Sequence, residues 1–474
     1  PLGYHLADHP PLGRLWIGVF HDATWAIAPP RKAQTPFSAA AARTAPAAAF
    51  AVTVFLVGLF TTKWHGRAAG LVAALSLVFM PRLFGHAHLA ALESFIGLTY
   101  TATVLCVAHE WSASKSIGLR TAAWTGVILG LALLTKIQAV LLPLPIAIWA
   151  LWHWRQRAVL PLLVFGVVGA AVFFAGWPWL WLDPLGHVQE YLGRATERVT
   201  LYTFYFGERY ADADVPWHYP WVMFLITVPL GLHALGLCGV FASSQSPQAP
   251  RRGISEPREQ LLLAAILFPL IVFSLPGVAV YDGARLFLVV FPLWAVLIGR
   301  GSLAAWEWIR RQTTGRLATA AITVFLLLQS AGVVRFAPVW LSYYNVAVGG
   351  LYGADRLGLE INYWGDAVTR SLLEETARHV PEGSTVHVSP VVHPLQLDFL
   401  EEQSPILRER GIELEPYDPD GGRLPEYVLV FRREADLPPL PFSFNGQQSH
   451  SFVSYSPRVT VERQGVVLGG LYER

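Results

Sequence analysis

The residues of this 474-residue chain best suited to chemistry are acids, imidazoles and cations placed at the ends of apolar runs. The first group is Tyr4-His5-Leu6-Ala7-Asp8-His9-Pro10-Pro11-Leu12-Gly13-Arg14, where two consecutive prolines fix an extended backbone beside an acid and two imidazoles. Asp8 with His9 could orient a hydroxyl or bind a metal; equally, Asp8 could cap a helix over 12–20. The second group is Arg82, His86 and Glu93. If 81–94 is helical, spacings of four and seven bring all three to one face within about three turns. Glu93 then lies just inside an apolar run, where a lone carboxylate is costly, so it either pairs with Arg82 or His86 or contacts substrate or a metal. His86 and His88 are two apart and cannot share a helical face, so a two-histidine metal site is not expected. Lys136 and Arg285 are further cations at run ends, Arg285 within Tyr281-Asp282-Gly283-Ala284-Arg285. Each, like Arg82, either snorkels to lipid headgroups or grips an anionic group such as a phosphate. His218 sits in Pro216-Trp217-His218-Tyr219-Pro220. There an interfacial aromatic belt competes with ligand contact, as it does at Trp177, Trp179 and Trp181.

The elements that must position these groups are membrane helices. With 53% hydrophobic and 14% charged residues and a mean hydropathy of +0.41, the chain does not fit a water-solvated surface. Lys+Arg of 35 against Asp+Glu of 33 leaves a charge of +2, so no basic field exists and no nucleic-acid partner is expected. Cys106 and Cys238 lie in apolar runs and offer neither a disulfide framework nor a thiolate metal site.

Runs of sufficient apolarity occupy 44–62, 68–81, 89–108, 121–135, 137–152, 158–177, 219–241, 261–279, 286–300 and 317–336, about ten candidate spans. Alternate connections carry the cations, from Lys63 and Arg67 through Lys115 and Arg120, Arg155 and Arg157, and Arg251, Arg252 and Arg258, to Arg300, Arg310, Arg311 and Arg316. The positive-inside rule makes these cytoplasmic. It turns outward the stretch 1–43, the connection 81–88, the turn at Lys136, the loop 178–218, the turn 276–285 and everything after about 337. Residues 337–474 are more polar, with a helical pattern over 366–380 ended by Pro381 and Gly383, and β-type runs at 385–390 and 426–431. The expected architecture is an α-helical polytopic membrane protein with a small C-terminal α/β domain outside the membrane.

His9-Pro10-Pro11-Leu12-Gly13 followed by Arg14 resembles the first outer loop of the protein O-mannosyltransferases and their bacterial relatives, the aminoarabinose transferases. These are family 39-like membrane glycosyltransferases of the GT-C type. Further segments resemble the same group in order: Pro81-Arg82-Leu83-Phe84-Gly85-His86-Ala87-His88 to Glu93-Ser94, Gly130 to Thr135-Lys136, the Trp177–Trp181 run, the His218 and Tyr281–Arg285 segments, Tyr343-Tyr344-Asn345 and Tyr363-Trp364-Gly365. The resemblance implies a first outer loop at 1–43, a multispan glycosyltransferase domain at 44–336 and a periplasmic α/β domain at 337–474. In the mannosyltransferases an acidic pair containing the proposed catalytic base precedes this motif. Only eight residues precede His9, so that pair and a first helix are expected to be missing here.

The resemblance implies inverting transfer of a monosaccharide from a polyprenyl-phosphate donor to an acceptor hydroxyl of a lipid, glycan or protein. The setting would be the periplasmic side of a bacterial inner membrane. Such an enzyme needs cations at the phosphate level and a carboxylate to take the acceptor proton. Asp8 and Glu93 are the acids available; His9, Arg82, His86, Lys136, His218, Tyr281, Asp282 and Arg285 are the expected substrate contacts. No cofactor is called for, although a divalent metal is left open. Asp212-Ala213-Asp214 has the spacing of a nucleotide-sugar motif but lies mid-loop. The rival class is a secondary transporter or lipid-linked-sugar flippase, which would show two similar halves; no internal repeat is visible.

Overall fold

The computed structural model describes residues 9–28, 37–113, 116–194, 199–242, 256–390, 394–420, 422, 424–438, 440 and 455–474. The chain is an integral membrane protein built mainly of helices, with one five-stranded sheet near its C-terminus. Three helical stretches among the described residues are long and apolar enough to cross a bilayer: Ala39–His65, Ile137–Ala175 and Gly315–Arg335. The pair Tyr219–Thr227 and Leu230–Phe241 qualifies as a fourth if counted together, and Arg67–Val78 and Leu119–Leu133 are shorter apolar helices. Two of the expected spans, 137–152 and 158–177, share one helical stretch that ends at Ala175 and is interrupted at Arg155, whose φ is +51°. Its halves, Pro143–Trp154 and Val159–Ala175, pack on different partners, the helices Pro257–Val272 and Leu119–Leu133 respectively.

Helices approach closely where small residues meet. A Cβ on Gly301 would lie 1.8 Å from the Leu235 carbonyl, and one on Gly239 would lie 2.0 Å from the Leu297 carbonyl. Leu230–Phe241 therefore packs on Val290–Arg310 through backbone contact, the usual device in lipid, where hydrophobicity does not drive helices together.

The expected 219–241 span is broken, with its two halves bent by 110° at Val228 and Pro229. Proline cannot donate to the preceding turn, which leaves carbonyls that must be satisfied inside the apolar region. Asn345 does this. Its Nδ2 donates to the Leu225 and Val228 carbonyls, both at 2.7 Å, and its backbone N–H donates to the Ile226 carbonyl at 2.8 Å. The asparagine of the Tyr-Tyr-Asn segment is thus a backbone cap for a broken helix.

The continuous helix expected over 81–94 is also corrected. Pro81–His86 forms one helix and Glu93–Ser112 another, with a turn over 87–92 between them. The first helix, Pro11–Ile27, begins with Pro10 at the N-cap, without a side-chain bond; the expected cap Asp8 lies outside the described residues.

After the last long helix, the strands are β3 (Thr385–Ser389), β4 (Glu413–Pro416), β5 (Tyr427–Phe431), β6 (Ser456–Arg463) and β7 (Val466–Glu473); β1 (Tyr202–Tyr205) and β2 (Glu208–Ala211) form a separate hairpin. The sheet order is β4-β3-β5-β7-β6, with β3 parallel to both neighbours and β7 antiparallel to both. Central β5 is buried along its whole length, which is why it reads as an unbroken apolar run. The helix Arg370–His379 matches the expected pattern and buries Leu372, Leu373, Thr376 and Ala377. One buried apolar cluster runs without a break from Val57 in the helices to Leu429 and Leu471 in the sheet.

Candidate functional site

The site grows from Glu93. This side chain begins the helix Glu93–Ser112 and is only 2% exposed, so its charge requires partners. The expected partners were Arg82 or His86; the observed ones are Lys136 and Arg285. Lys136 Nζ donates to Glu93 Oε1 at 2.8 Å and Arg285 Nε donates to the same oxygen at 2.7 Å. Lys136 stands between the helices Leu119–Leu133 and Ile137–Leu141, and Arg285 ends the Tyr-Asp-Gly-Ala-Arg turn. Glu93 Oε2 is buried with no hydrogen-bond partner among the described residues and is the oxygen left available.

The turn carrying Arg285 is shaped by Asp282 (φ +56°) and Gly283 (φ +65°). A Cβ on Gly283 would sit 2.9 Å from Arg82 Nη1 and 3.0 Å from the Tyr363 ring, so only glycine allows the turn to close on them. Asp282 Oδ2 accepts from Arg285 Nη1 at 2.9 Å and from Trp364 Nε1 at 2.7 Å. Its Oδ1 accepts from Arg433 Nη2 at 3.0 Å, and Arg433 pairs in turn with Asp436 at 2.7 Å. Charges therefore alternate along Asp436, Arg433, Asp282, Arg285, Glu93 and Lys136. The Arg285 guanidinium also lies 4.3 Å from the Trp364 ring centre and 5.7 Å from that of Tyr281.

Arg82 is buried beside this chain of charges and does not snorkel. Its Nε donates to the Tyr343 carbonyl at 2.9 Å, and its guanidinium lies 4.3 Å from the Tyr344 ring centre and 5.1 Å from that of Tyr363. Nη2 has no hydrogen-bond partner among the described residues. His86 is edge-on to Trp364 at 5.4 Å. Burial pushes its imidazole down to about 4, against the pull of Glu93, so the ring is neutral, and its Nδ1 has no partner among the described residues.

The proline motif touches both acid-bearing and lysine-bearing segments. Leu12 N–H donates to the Leu134 carbonyl at 3.1 Å, two residues before Lys136. A Cβ on Gly13 would meet the Leu92 side chain at 2.6 Å, one residue before Glu93. Arg14 Nη2 donates to the His9 carbonyl at 2.7 Å, holding the turn of the motif. His218 is held by the hairpin: its Nδ1 lies 2.8 Å from the Tyr205 hydroxyl and its ring is edge-on to Trp217. Asp212 anchors the hairpin, accepting from Leu201 N–H through Oδ2 and from Val280 N–H through its carbonyl. Trp177 is buried against Tyr191, and Trp179 stacks on His187.

Arg433 and Asp436 were missed from the sequence. They follow β5 with no motif, and only the adjacency of Arg432 and Arg433 after an apolar strand hints at a buried ion pair. Among the described residues no three His, Cys, Asp or Glu side chains are grouped to hold a metal.

Residues 3–182 match the family model described as dolichyl-phosphate-mannose-protein mannosyltransferase. Over 244 residues the chain is 27% identical to undecaprenyl phosphate-alpha-4-amino-4-deoxy-L-arabinose arabinosyl transferase of Yersinia enterocolitica, a match covering 47% of this chain and 38% of that relative. The chain thus spans well under half the length of that curated relative. Among solved structures it is similar to ArnT from Cupriavidus metallidurans in the apo state, with a TM-score of 0.48 and 13% identity over 90% of this chain and 82% of the other. It is also similar to the oligosaccharyltransferase AglB from Archaeoglobus fulgidus, with a TM-score of 0.43 and 13% identity over 90% and 61%. The resemblance to the mannosyltransferase and aminoarabinose transferase group is borne out, and the residues matched by the family model include the proline motif, Arg82, His86, Glu93 and Lys136.

Proposed function

We propose that this protein is a membrane glycosyltransferase that moves a monosaccharide, with inversion, from a polyprenyl-phosphate donor to an acceptor hydroxyl at the outer face of the membrane. The observation that carries the reading is the convergence of Lys136 and Arg285 on one carboxylate oxygen, next to the matched proline motif. Two cations that can hold one carboxylate oxygen have the charge and geometry to hold a phosphate oxygen as it becomes the leaving group. Glu93 Oε2 and the neutral His86 stand beside them as polar groups for the sugar or the acceptor. The acceptor oxygen attacks the anomeric carbon, the bond to the phosphate oxygen breaks, and the acceptor proton passes to a carboxylate. A donor with the phosphate at headgroup depth suits cations at the ends of helices, and both matched names include polyprenyl-phosphate-linked sugars.

The same reading places about ten spans across a bacterial inner membrane, with residues 44–336 as the transferase core. The loop 178–218 and residues 337–474 lie in the periplasm, the latter as an α/β domain. A transporter gains no support from the matches. A cysteine placed at 247 is expected to react with an impermeant label only from the cytoplasmic side, and cysteines at 200 and 420 only from outside. Labelling of 247 from outside would overturn the sidedness and with it the donor class.

A further inference from the structure

The segment that follows β5 is fastened over the charged site from three sides. Glu360 accepts from the backbone N–H groups of Glu434 and Ala435, both at 2.9 Å, through its two oxygens. Arg209, from β2, donates to the Ala435 carbonyl at 2.6 Å. Arg432 donates to Asp355 at 2.7 Å and to Glu434 at 2.8 Å. Burial pushes the Glu360 carboxyl up to about 8, against the help of those two N–H groups. These anchors belong to the hairpin, to the stretch after the last long helix and to the sheet. None of them touches Arg285. Their joint effect is to fix the backbone from which Arg433 reaches Asp282.

Asp282 is 8% exposed and divides its oxygens, one to Arg433 and the other to Arg285 and Trp364. The Arg433 contact keeps Asp282 Oδ1 engaged, which leaves only Oδ2 for Arg285 Nη1 and Arg285 Nε directed at Glu93. Without Arg433, Asp282 would hold a bare buried oxygen, and the guanidinium of Arg285, already bonded to Oδ2 of the same carboxylate, could turn to satisfy it. That rotation would withdraw Nε from the point where Lys136 also converges.

We propose that Arg433 is a positioning residue through which the C-terminal sheet region completes the donor-phosphate site: it holds Asp282, and Asp282 aims Arg285. The proposal rests on the transferase reading for its ligand but not for its mechanical part. A site supported in this way is set by residues that never meet the substrate.

The test uses the full chain in detergent, with Arg433→Gln and Arg433→Lys variants. The control is Arg458→Ala, which removes an exposed ion pair with Glu473 on the sheet. The first readout is affinity for undecaprenyl phosphate; the second is amide hydrogen exchange over 281–285 without ligand. Arg433→Gln is expected to bind about tenfold more weakly and to exchange faster at 281–285, because one partner of a buried pair is gone. Arg433→Lys restores part of both, and Arg458→Ala changes neither. Unchanged exchange at 281–285 in a folded Arg433→Gln protein overturns the latch. Faster exchange with unchanged affinity overturns the claim that this contact completes the donor-phosphate site. Wild-type protein that does not bind undecaprenyl phosphate overturns the donor reading and with it the ligand part of the proposal. The exchange result then decides the mechanical part alone.

Discussion

Arg285→Ala is expected to lower donor use about ten- to hundredfold, the size of a lost charge-assisted contact to a phosphate at about 1.5–3 kcal/mol. The variant is expected to fold. Glu93 keeps Lys136, and Asp282 keeps Trp364 and Arg433, so neither acid is left bare. Arg285→Lys should recover only part of the loss, because an ammonium is a point charge whereas the fork of arginine now bonds Glu93 through Nε and Asp282 through Nη1. The measurement is transfer per folded molecule at varied donor concentration. A wild-type rate for Arg285→Ala would remove Arg285 from the donor site.

Glu93→Gln tests the other half of the pair, and the observed geometry sharpens what it must do. If Glu93 serves only to neutralise Lys136 and Arg285, the amide leaves the buried Lys136 and the half-buried Arg285 facing a neutral group, and folding yield and melting temperature fall while the surviving protein turns over normally. If Oε2 contacts the sugar or the acceptor, the variant loses turnover by roughly 10²-fold or more, the usual size of a general acid–base or positioning effect. The second outcome is the expected one. Oε1 already takes both cations, and Oε2 is buried without a partner among the described residues, an arrangement with no structural gain. Yield, melting and turnover measured together decide between them, and early melting with normal turnover per folded molecule would exclude the functional role.

What could be read from the sequence follows the range of each interaction. Hydropathy located the apolar helices, because lipid exposure leaves a long local signal, and the helix ending at Pro381 and Gly383 was legible from its own caps. The partners of Glu93 were not legible. Lys136 is 43 residues away and Arg285 is 192, and the helical spacing that pointed to Arg82 fails because the chain turns over 87–92. Arg82 instead finds aromatic rings and a carbonyl from 343–363, which no local pattern announces. Strands β6 and β7 escaped notice for local reasons. The first is polar and lies at the sheet edge, and the second contains Gly469 and Gly470, which fit because the Val430 and Val459 carbonyls lie 2.7 and 2.4 Å from where their Cβ atoms would be. Asn345 stood out as part of a motif, but its role as a cap for a broken helix needs the bend at Pro229 to be seen.

The most direct measurement gives the full chain, reconstituted in liposomes, a polyprenyl-phosphate sugar labelled separately in the sugar and in the phosphate, together with candidate acceptors. The account predicts that the sugar label leaves the lipid for an acceptor while the phosphate label stays on the polyprenol, and that both Arg285→Ala and Glu93→Gln suppress this separation. Movement of both labels together from one leaflet to the other, with the sugar–phosphate bond intact, would contradict it and identify a flippase.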